Sequence, residues 1–249
     1  RRNPIRTYTT RRVRPAGTTG AVDTAGAGAG AGGPTRVDVD MVVHEPLGPA
    51  SRWIRDAAVG SRAVLLGPRR SWLRGRPPGA ALSGGVDFVP PAVTERFLLG
   101  GDETAAPAIA RILQDLPTTA RGIAVVEMPT RADAAYLPDH PGFEVRVTGR
   151  EGRAHGEALV EGVRRAAGEL CPVGTAQEVE EIDVDHDLLW EVPRTARGGA
   201  ALRRTSLYAW LAGEAAAVRA LRRHLVAERG VDRRSVAFMG YWRLGRAEN

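Results

Sequence analysis

A chain of 249 residues, 43% of them hydrophobic, carries enough apolar material for one large domain or two smaller ones, which excludes a disordered chain. The net charge is +6 and the sequence holds no lysine, so the positive charge is arginine. Aromatic residues make up only 5% and the arginines are spread out, which argues against a basic nucleic-acid face with stacking rings.

No run approaches the about 18 consecutive apolar residues of a membrane span. The opening RRNPIRTYTTRRVR has no apolar core, so no signal peptide is visible. The single cysteine, Cys171, allows no intrachain disulfide and has no metal-ligand spacing around it. A cytoplasmic protein without a membrane span is the expectation.

In chain order, residues 5–12 (IRTYTTRR) and 36–44 (RVDVDMVVH) alternate and predict strands, with Val37, Val39 and Met41 on one face. The Gly/Ala tract between them, residues 24–34, reads as a long hairpin loop. Residues 62–66 (RAVLL), closed by Gly67 and Pro68, predict a further buried strand. Short strands with turn signals suggest a small antiparallel barrel.

Proline and glycine cluster at 75–91, and the pattern then changes. Strands are predicted at 96–100, 122–128, 143–147, 206–212 and 235–240, and helices at 104–116, 155–170 and 214–229. Apolar strands alternating with helices imply a parallel sheet covered on both faces. The expected architecture is an antiparallel β-barrel (1–91) followed by a doubly wound parallel α/β domain (92–249).

Five segments carry candidate chemistry. In Arg6-Thr7-Tyr8-Thr9, Arg6 and Tyr8 share one strand face. The segment offers a cation, an aromatic plane and a hydroxyl, as a flavin site needs, although an ordinary strand also accommodates it. In HEPLGPASRW (44–53), Gly48 and Pro49 turn the chain and Ala50-Ser51 open a helix. Its free amides suit phosphate, and Ser51 equally suits a plain N-cap. LLGGDETAAPAI (98–109) and WLAGE (210–214) both run from a strand end through glycine into a helix, where open α/β sheets bind ligands. GYWRLG (240–245) places two aromatics after the last strand, able to cap a sheet edge or flank a planar cofactor.

Taken in this order along essentially the whole chain, the five segments resemble the siderophore-interacting protein family, FAD-dependent ferric-siderophore reductases of the ferredoxin-reductase superfamily. The resemblance implies that Arg6 contacts the FAD diphosphate, Tyr8 the ring face and Thr9 the ring edge. His44, Ala50 and Ser51 would hold the stretch between ring and diphosphate. Asp102 and Thr104 would lie near FAD, Glu103 on the nicotinamide path, and Gly213 and Glu214 in the NAD(P)H cleft. An anionic ferric siderophore would need a cationic groove, for which Arg69, Arg70, Arg197 and Arg203 are the leading candidates, with Arg74, Arg76, Arg194 and Arg204 beside them. Glu45 departs from the glycine the family usually has after the histidine. Family members also carry further barrel strands upstream of the Arg-Thr-Tyr-Thr strand.

By the same resemblance the flavin carries the electrons and no side chain need act as a catalytic acid or base. Electrons pass from NAD(P)H through FAD to Fe(III), releasing Fe(II), with a monomer expected. Ferredoxin as the electron donor and a non-catalytic siderophore carrier are the alternatives. Two tempting patterns fail. Gly28-x-Gly30-x-x-Gly33 leads into Pro34 and a strand rather than a helix, so the dinucleotide fingerprint lacks its context. The Asp183-x-Asp185-x-Asp187 run has Leu188 and Arg194 where a calcium loop needs glycine and glutamate, so no metal site is expected.

Overall fold

The computed structural model describes residues 5–16, 34–66, 87–171, 189–195 and 198–246. Before residue 92 these hold a two-stranded antiparallel sheet, β1 (Arg12–Arg14) and β2 (Arg36–Asp38), and helix α1 (Pro49–Asp56). A six-stranded sheet follows, in the order β5-β4-β3-β7-β8-β6. It comprises β3 (Val93–Gly101), β4 (Gly122–Met128), β5 (Phe143–Gly149), β6 (Trp190–Glu191), β7 (Arg204–Glu214) and β8 (Val236–Trp242). All neighbours are parallel except the short edge strand β6. Helices α2 (Ala106–Asp115), α3 (Glu157–Leu170) and α4 (Ala215–Arg222) connect the strands. Among the described residues no helix is long and apolar enough to cross a membrane.

Period-2 alternation sorts the strand side chains to two faces. Phe97, Leu99, Ala124, Val126, Tyr208, Trp210, Ala237 and Met239 pack with α2. Leu98, Ile123, Val125, Ala209, Leu211, Val236 and Phe238 pack with α3 and α4. Both faces are therefore buried, and this is why these strands read as apolar runs. The path from β3 goes to β4 on one side. After β5 it crosses to the edge strand β6 and then to β7, both on the other side of β3. The boundary between β3 and β7 is thus where strand order reverses, the place where open α/β sheets hold ligands.

Three expectations change. The strand foreseen at 5–12 forms instead at 12–14, leaving residues 6–9 outside the ladder, and the strand foreseen at 36–44 shortens to 36–38. Residues 62–66 form no strand, and Val64, Leu65 and Leu66 are exposed. Alternation marks a segment that can pair, whereas a strand exists only where a partner satisfies its backbone groups. A closed barrel is accordingly not present among the described residues. The helix foreseen at 214–229 is α-helical only to Arg222 and then widens to a π-helix over Arg223–Glu228. There the His224 ring is held between the Glu228 carboxylate and the Arg229 Nε–H, which donates to His224 Nε2 at 3.0 Å.

Candidate functional site

Three strands end in a buried carboxylate, and two of these, Glu127 and Glu214, close the start of a helix. Asp102, 2% exposed, follows β3. Its Oδ1 accepts from the Thr104 N–H at 2.9 Å and from the Thr104 hydroxyl, and its Oδ2 accepts from the Glu214 N–H at 2.7 Å and from Trp242 Nε1–H at 2.8 Å. The Asp102 carbonyl takes the N–H groups of Ala105 and Ala106, both at 3.0 Å, while Pro107 has none. Burial pushes the Asp102 carboxyl above the ordinary carboxylate range, against the pull of its donors.

Glu214, at the end of β7, N-caps α4, its Oε2 accepting from Ala216 N–H at 2.7 Å and Ala217 N–H at 3.1 Å. Glu127, fully buried near the end of β4, receives the N–H groups of Gly156 and Leu159 at 2.9 Å each, closing the start of α3. Beside it Arg150, just past β5, donates to Glu103 Oε1 at 2.8 Å and to Glu127 Oε1 at 3.4 Å. Glu103 therefore sits at the carboxyl ends of the strands, paired with an arginine.

Glycine is required where β3 and β7 meet. A Cβ on Gly101 would lie 2.4 Å from the Ala105 Cβ, so α2 could not start so close to the strand. Gly213 has φ +144°, and a Cβ there would lie 2.6 Å from Asp102 Oδ2.

The last strand brings the N-terminal segment to this crevice. The His44 ring stacks on Trp242 with centroids 4.4 Å apart and planes 22° apart. His155 meets the same indole edge-on at 5.1 Å, and its buried Nδ1 has no hydrogen-bond partner among the described residues. The His44 N–H donates to Ser51 Oγ at 3.3 Å, so His44, the start of α1 and Asp102 form one connected cluster. Glu45 is exposed, leaving its charge in solvent.

Helix α1 differs from the three sheet helices. It follows no strand of the sheet, and its N-cap Gly48, followed by Pro49, makes no side-chain cap hydrogen bond. Tyr8 is 38% exposed and Trp53 42%, while Arg6 and Thr9 are half-buried and Arg6 Nη1 donates to the Ile5 carbonyl at 2.8 Å. A second junction joins the N-terminal segment to the sheet. The Tyr136 hydroxyl donates to Asp40, and Arg11 donates to Gln114 Oε1 at 2.7 Å. A cleft of about 240 Å³ lies at this junction, lined among others by Asp40, Glu103, Ala106, Met128, Asp133 and Tyr136.

Most of the arginines foreseen for an anionic chelate, Arg69, Arg70, Arg74, Arg76 and Arg197, fall outside the described residues. Arg203 is exposed at the amino end of β7, eleven residues from Glu214, roughly 35 Å at about 3.3 Å per strand residue. Arg194 is tied to Asp87 at 2.8 Å. Conversely, Glu127, Arg150 and the hydrogen bond of Trp242 were not foreseen. The available signal for Glu127 was a lone charge inside the apolar run GIAVVEM.

These elements define an α/β protein with buried carboxylates and close-packed glycines at the carboxyl ends of its parallel strands, joined there to a segment bearing an exposed aromatic and a helix without a side-chain cap. Residues 94–245 match the family model for siderophore-interacting proteins, and residues 1–72 match that of the siderophore-interacting FAD-binding domain. The chain belongs to the siderophore-interacting protein family.

An uncharacterized protein of Mycobacterium tuberculosis is 30% identical over 100% of this chain and 68% of its own length. The ferric vibriobactin reductase ViuB of Vibrio cholerae is 27% identical over 85% of this chain and 60% of its own, and the ferric acinetobactin reductase of Acinetobacter baumannii 23% over 84% and 56%. Two solved structures share the fold. The siderophore-interacting protein of Acinetobacter baumannii has TM-score 0.54 and 23% identity, covering 84% of this chain and 64% of that one. A siderophore utilization protein of T. fusca has TM-score 0.53 and 24% identity, covering 98% and 68%. The chain thus spans between 56% and 68% of these relatives.

Proposed function

We propose that this chain works as an FAD-dependent ferric-siderophore reductase. The observation that carries the reading is the junction itself: a segment with an exposed Tyr8 and the start of α1, which has no side-chain cap, is fastened through the His44–Trp242 stack to Asp102 at the end of β3, where strand order reverses. The names of the Vibrio and Acinetobacter relatives support the substrate class.

The residues present fit FAD. Tyr8 offers a planar face, Thr9 a hydroxyl and Arg6 a cation. The first turn of α1, at Ala50 and Ser51, offers backbone amides and the positive end of the helix to a diphosphate. Ser51 Oγ accepts from the His44 backbone and so fixes the turn between them. Asp102 and Thr104 shape the β3–α2 turn by bonding to each other, while Glu103 faces the cleft and Gly213 leaves room beside Asp102. When bound, FAD supplies the electron transfer that takes Fe(III) in the chelate to Fe(II), which the chelate's oxygens hold far more weakly. We assign residues 1–91 to an FAD-binding barrel domain and residues 92–249 to the domain that receives the electron donor. A monomer in the cytoplasm is part of this reading. The chelate groove is assigned to Arg69, Arg70 and Arg197; Arg203, at the far end of β7, is left out of it.

NAD(P)H is the donor that the family resemblance favours. A specific observation favours ferredoxin instead: the helix starts after β4 and β7 are already occupied by Glu127 and Glu214, leaving less for a nucleotide diphosphate to bind there. Anaerobic mixing of the FAD-loaded protein and a ferric siderophore with NADPH, NADH or reduced ferredoxin decides between them. Flavin bleaching and Fe(II) capture by ferrozine are the readouts. Bleaching by a pyridine nucleotide supports the first reading, and bleaching by ferredoxin alone supports the second. A protein that purifies colourless and takes up no FAD would sink both and favour a siderophore carrier.

A further inference from the structure

No cofactor contact is assigned to Trp242 above, yet three features converge on it. A register shift between β7 and β8 falls at Gly213/Glu214, so that Glu214 stands opposite Trp242 rather than Tyr241. Bulges of this kind re-aim side chains at strand ends. Trp242 is 9% exposed and donates its indole N–H to Asp102, while Tyr241 packs with Trp190 and Trp210. The flat face of Trp242 carries the His44 ring at 4.4 Å, and the edge-on His155 closes the pocket around the indole.

We propose that Trp242 is a positioning residue for the flavin site: it holds the His44 imidazole in one orientation and ties that orientation to Asp102 at the end of β3. The inference rests on the flavin reading and adds the means by which the sheet sets a flavin-side contact. His44 lies in an N-terminal segment with little regular structure, where a loose ring would lose rotamer freedom on binding cofactor. Stacking on an indole that is itself hydrogen-bonded removes that freedom beforehand.

The test uses the full chain stripped of FAD and compares wild type, Trp242→Phe, Trp242→Leu, His44→Ala and the double variant His44→Ala/Trp242→Leu. In the FAD-free protein, the His44 ring protons are expected at ring-current-shifted NMR positions that survive in Trp242→Phe and are lost in Trp242→Leu. Fluorescence titration is expected to give an FAD Kd within about twofold of wild type for Trp242→Phe and about tenfold weaker for Trp242→Leu. His44→Ala should weaken binding similarly, and the double variant no further. FAD affinity untouched in Trp242→Leu, or losses that multiply in the double variant, would overturn the proposal. Wild type supplies a reading that needs no variant: FAD binding should move the Trp242 indole N–H resonance, and an unmoved resonance overturns the inference. A wild-type chain that takes up no FAD overturns the flavin reading and this inference with it, whereas FAD uptake indifferent to Trp242 overturns the inference alone.

Discussion

Gly213 and Asp102 approach so closely that a Cβ on residue 213 would stand 2.6 Å from Asp102 Oδ2. Gly213 also has φ +144°, which side-chain-bearing residues rarely adopt. Gly213→Ala therefore meets two penalties at once, a strained backbone and a clash with a carboxylate already fixed by its donors. It is expected to destabilise the protein by about 3 kcal/mol or more. Urea unfolding would measure this, and a loss below about 1 kcal/mol would mean that the strand ends relax apart.

The same relationship shows what a sequence can and cannot disclose. The parallel sheet was legible because its strands are buried on both faces: GIAVVEM begins and ends as foreseen, and SLYAWLA differs only at its ends. Asp102, Gly213 and Glu214 stood out because a strand end, a glycine and a helix start follow one another within a few residues. The N-terminal strands were over-read, since IRTYTTRR records a capacity to pair and its partner is set elsewhere in the chain. The His44–Trp242 stack joins opposite ends of the sequence and depends on a register shift in β8, which no local pattern encodes. Arg150 looked like one solvated arginine among many until the fold placed it between Glu103 and Glu127.

Glu127 predicts a local effect. Each carboxylate oxygen takes one amide from the start of α3, and Oε1 also faces Arg150. In Glu127→Gln an amide N–H must point at one of those donors, leaving a buried N–H unpaired and Arg150 short of a counter-charge. The expected cost is about 2–3 kcal/mol. Hydrogen exchange locates it: the Leu159 amide should exchange faster beyond what the global stability loss accounts for, whereas amides in β7 should follow global stability only.

Arg146 fixes the outer edge of the sheet. It forms a two-pronged pair with Glu144 on its own strand, at 2.9 and 2.7 Å, and another with Glu169 near the end of α3, at 2.9 and 2.6 Å. The hydrogen bonds from Arg146 hold both carboxyls below their ordinary value of 4.5. Such groups contribute stability at pH values above 4.5, and the contribution disappears as pH falls through their lowered folded values. All three side chains reach solvent, so Arg146→Gln should lower the melting temperature by only about 1–3 °C at pH 7. That gap should close on acidification below about pH 4 and narrow in high salt. A gap independent of both pH and salt would place the effect in packing rather than charge.

Tyr208 predicts the opposite limb of the pH profile. Its ring is buried between Phe88 and Phe97, edge-on to both, and its hydroxyl oxygen accepts the Val89 N–H at 3.2 Å. Burial pushes its phenol up from the ordinary 10.0 to about 12, with Asp87 adding to the rise and the Val89 bond and Arg194 opposing it. A phenol is neutral when protonated, so between these values the folded chain keeps a proton that the unfolded chain has lost. Stability is then fully present below pH 10 and falls as pH rises toward 12, by up to about 2.7 kcal/mol for this group. Tyr208→Phe removes that loss but leaves the Val89 N–H without its acceptor, which should cost about 1–2 kcal/mol at pH 7. Tyr136 and Tyr241 are also raised, and since both proteins carry them, the difference between the proteins isolates Tyr208. Urea midpoints at pH 7, 9, 10 and 11 should show the variant trailing at neutrality and the gap closing by about 1.4 kcal/mol by pH 11. A deficit unchanged across that series would mean that water reaches the Tyr208 hydroxyl, and with it the seam where residues 87–89 cross β7.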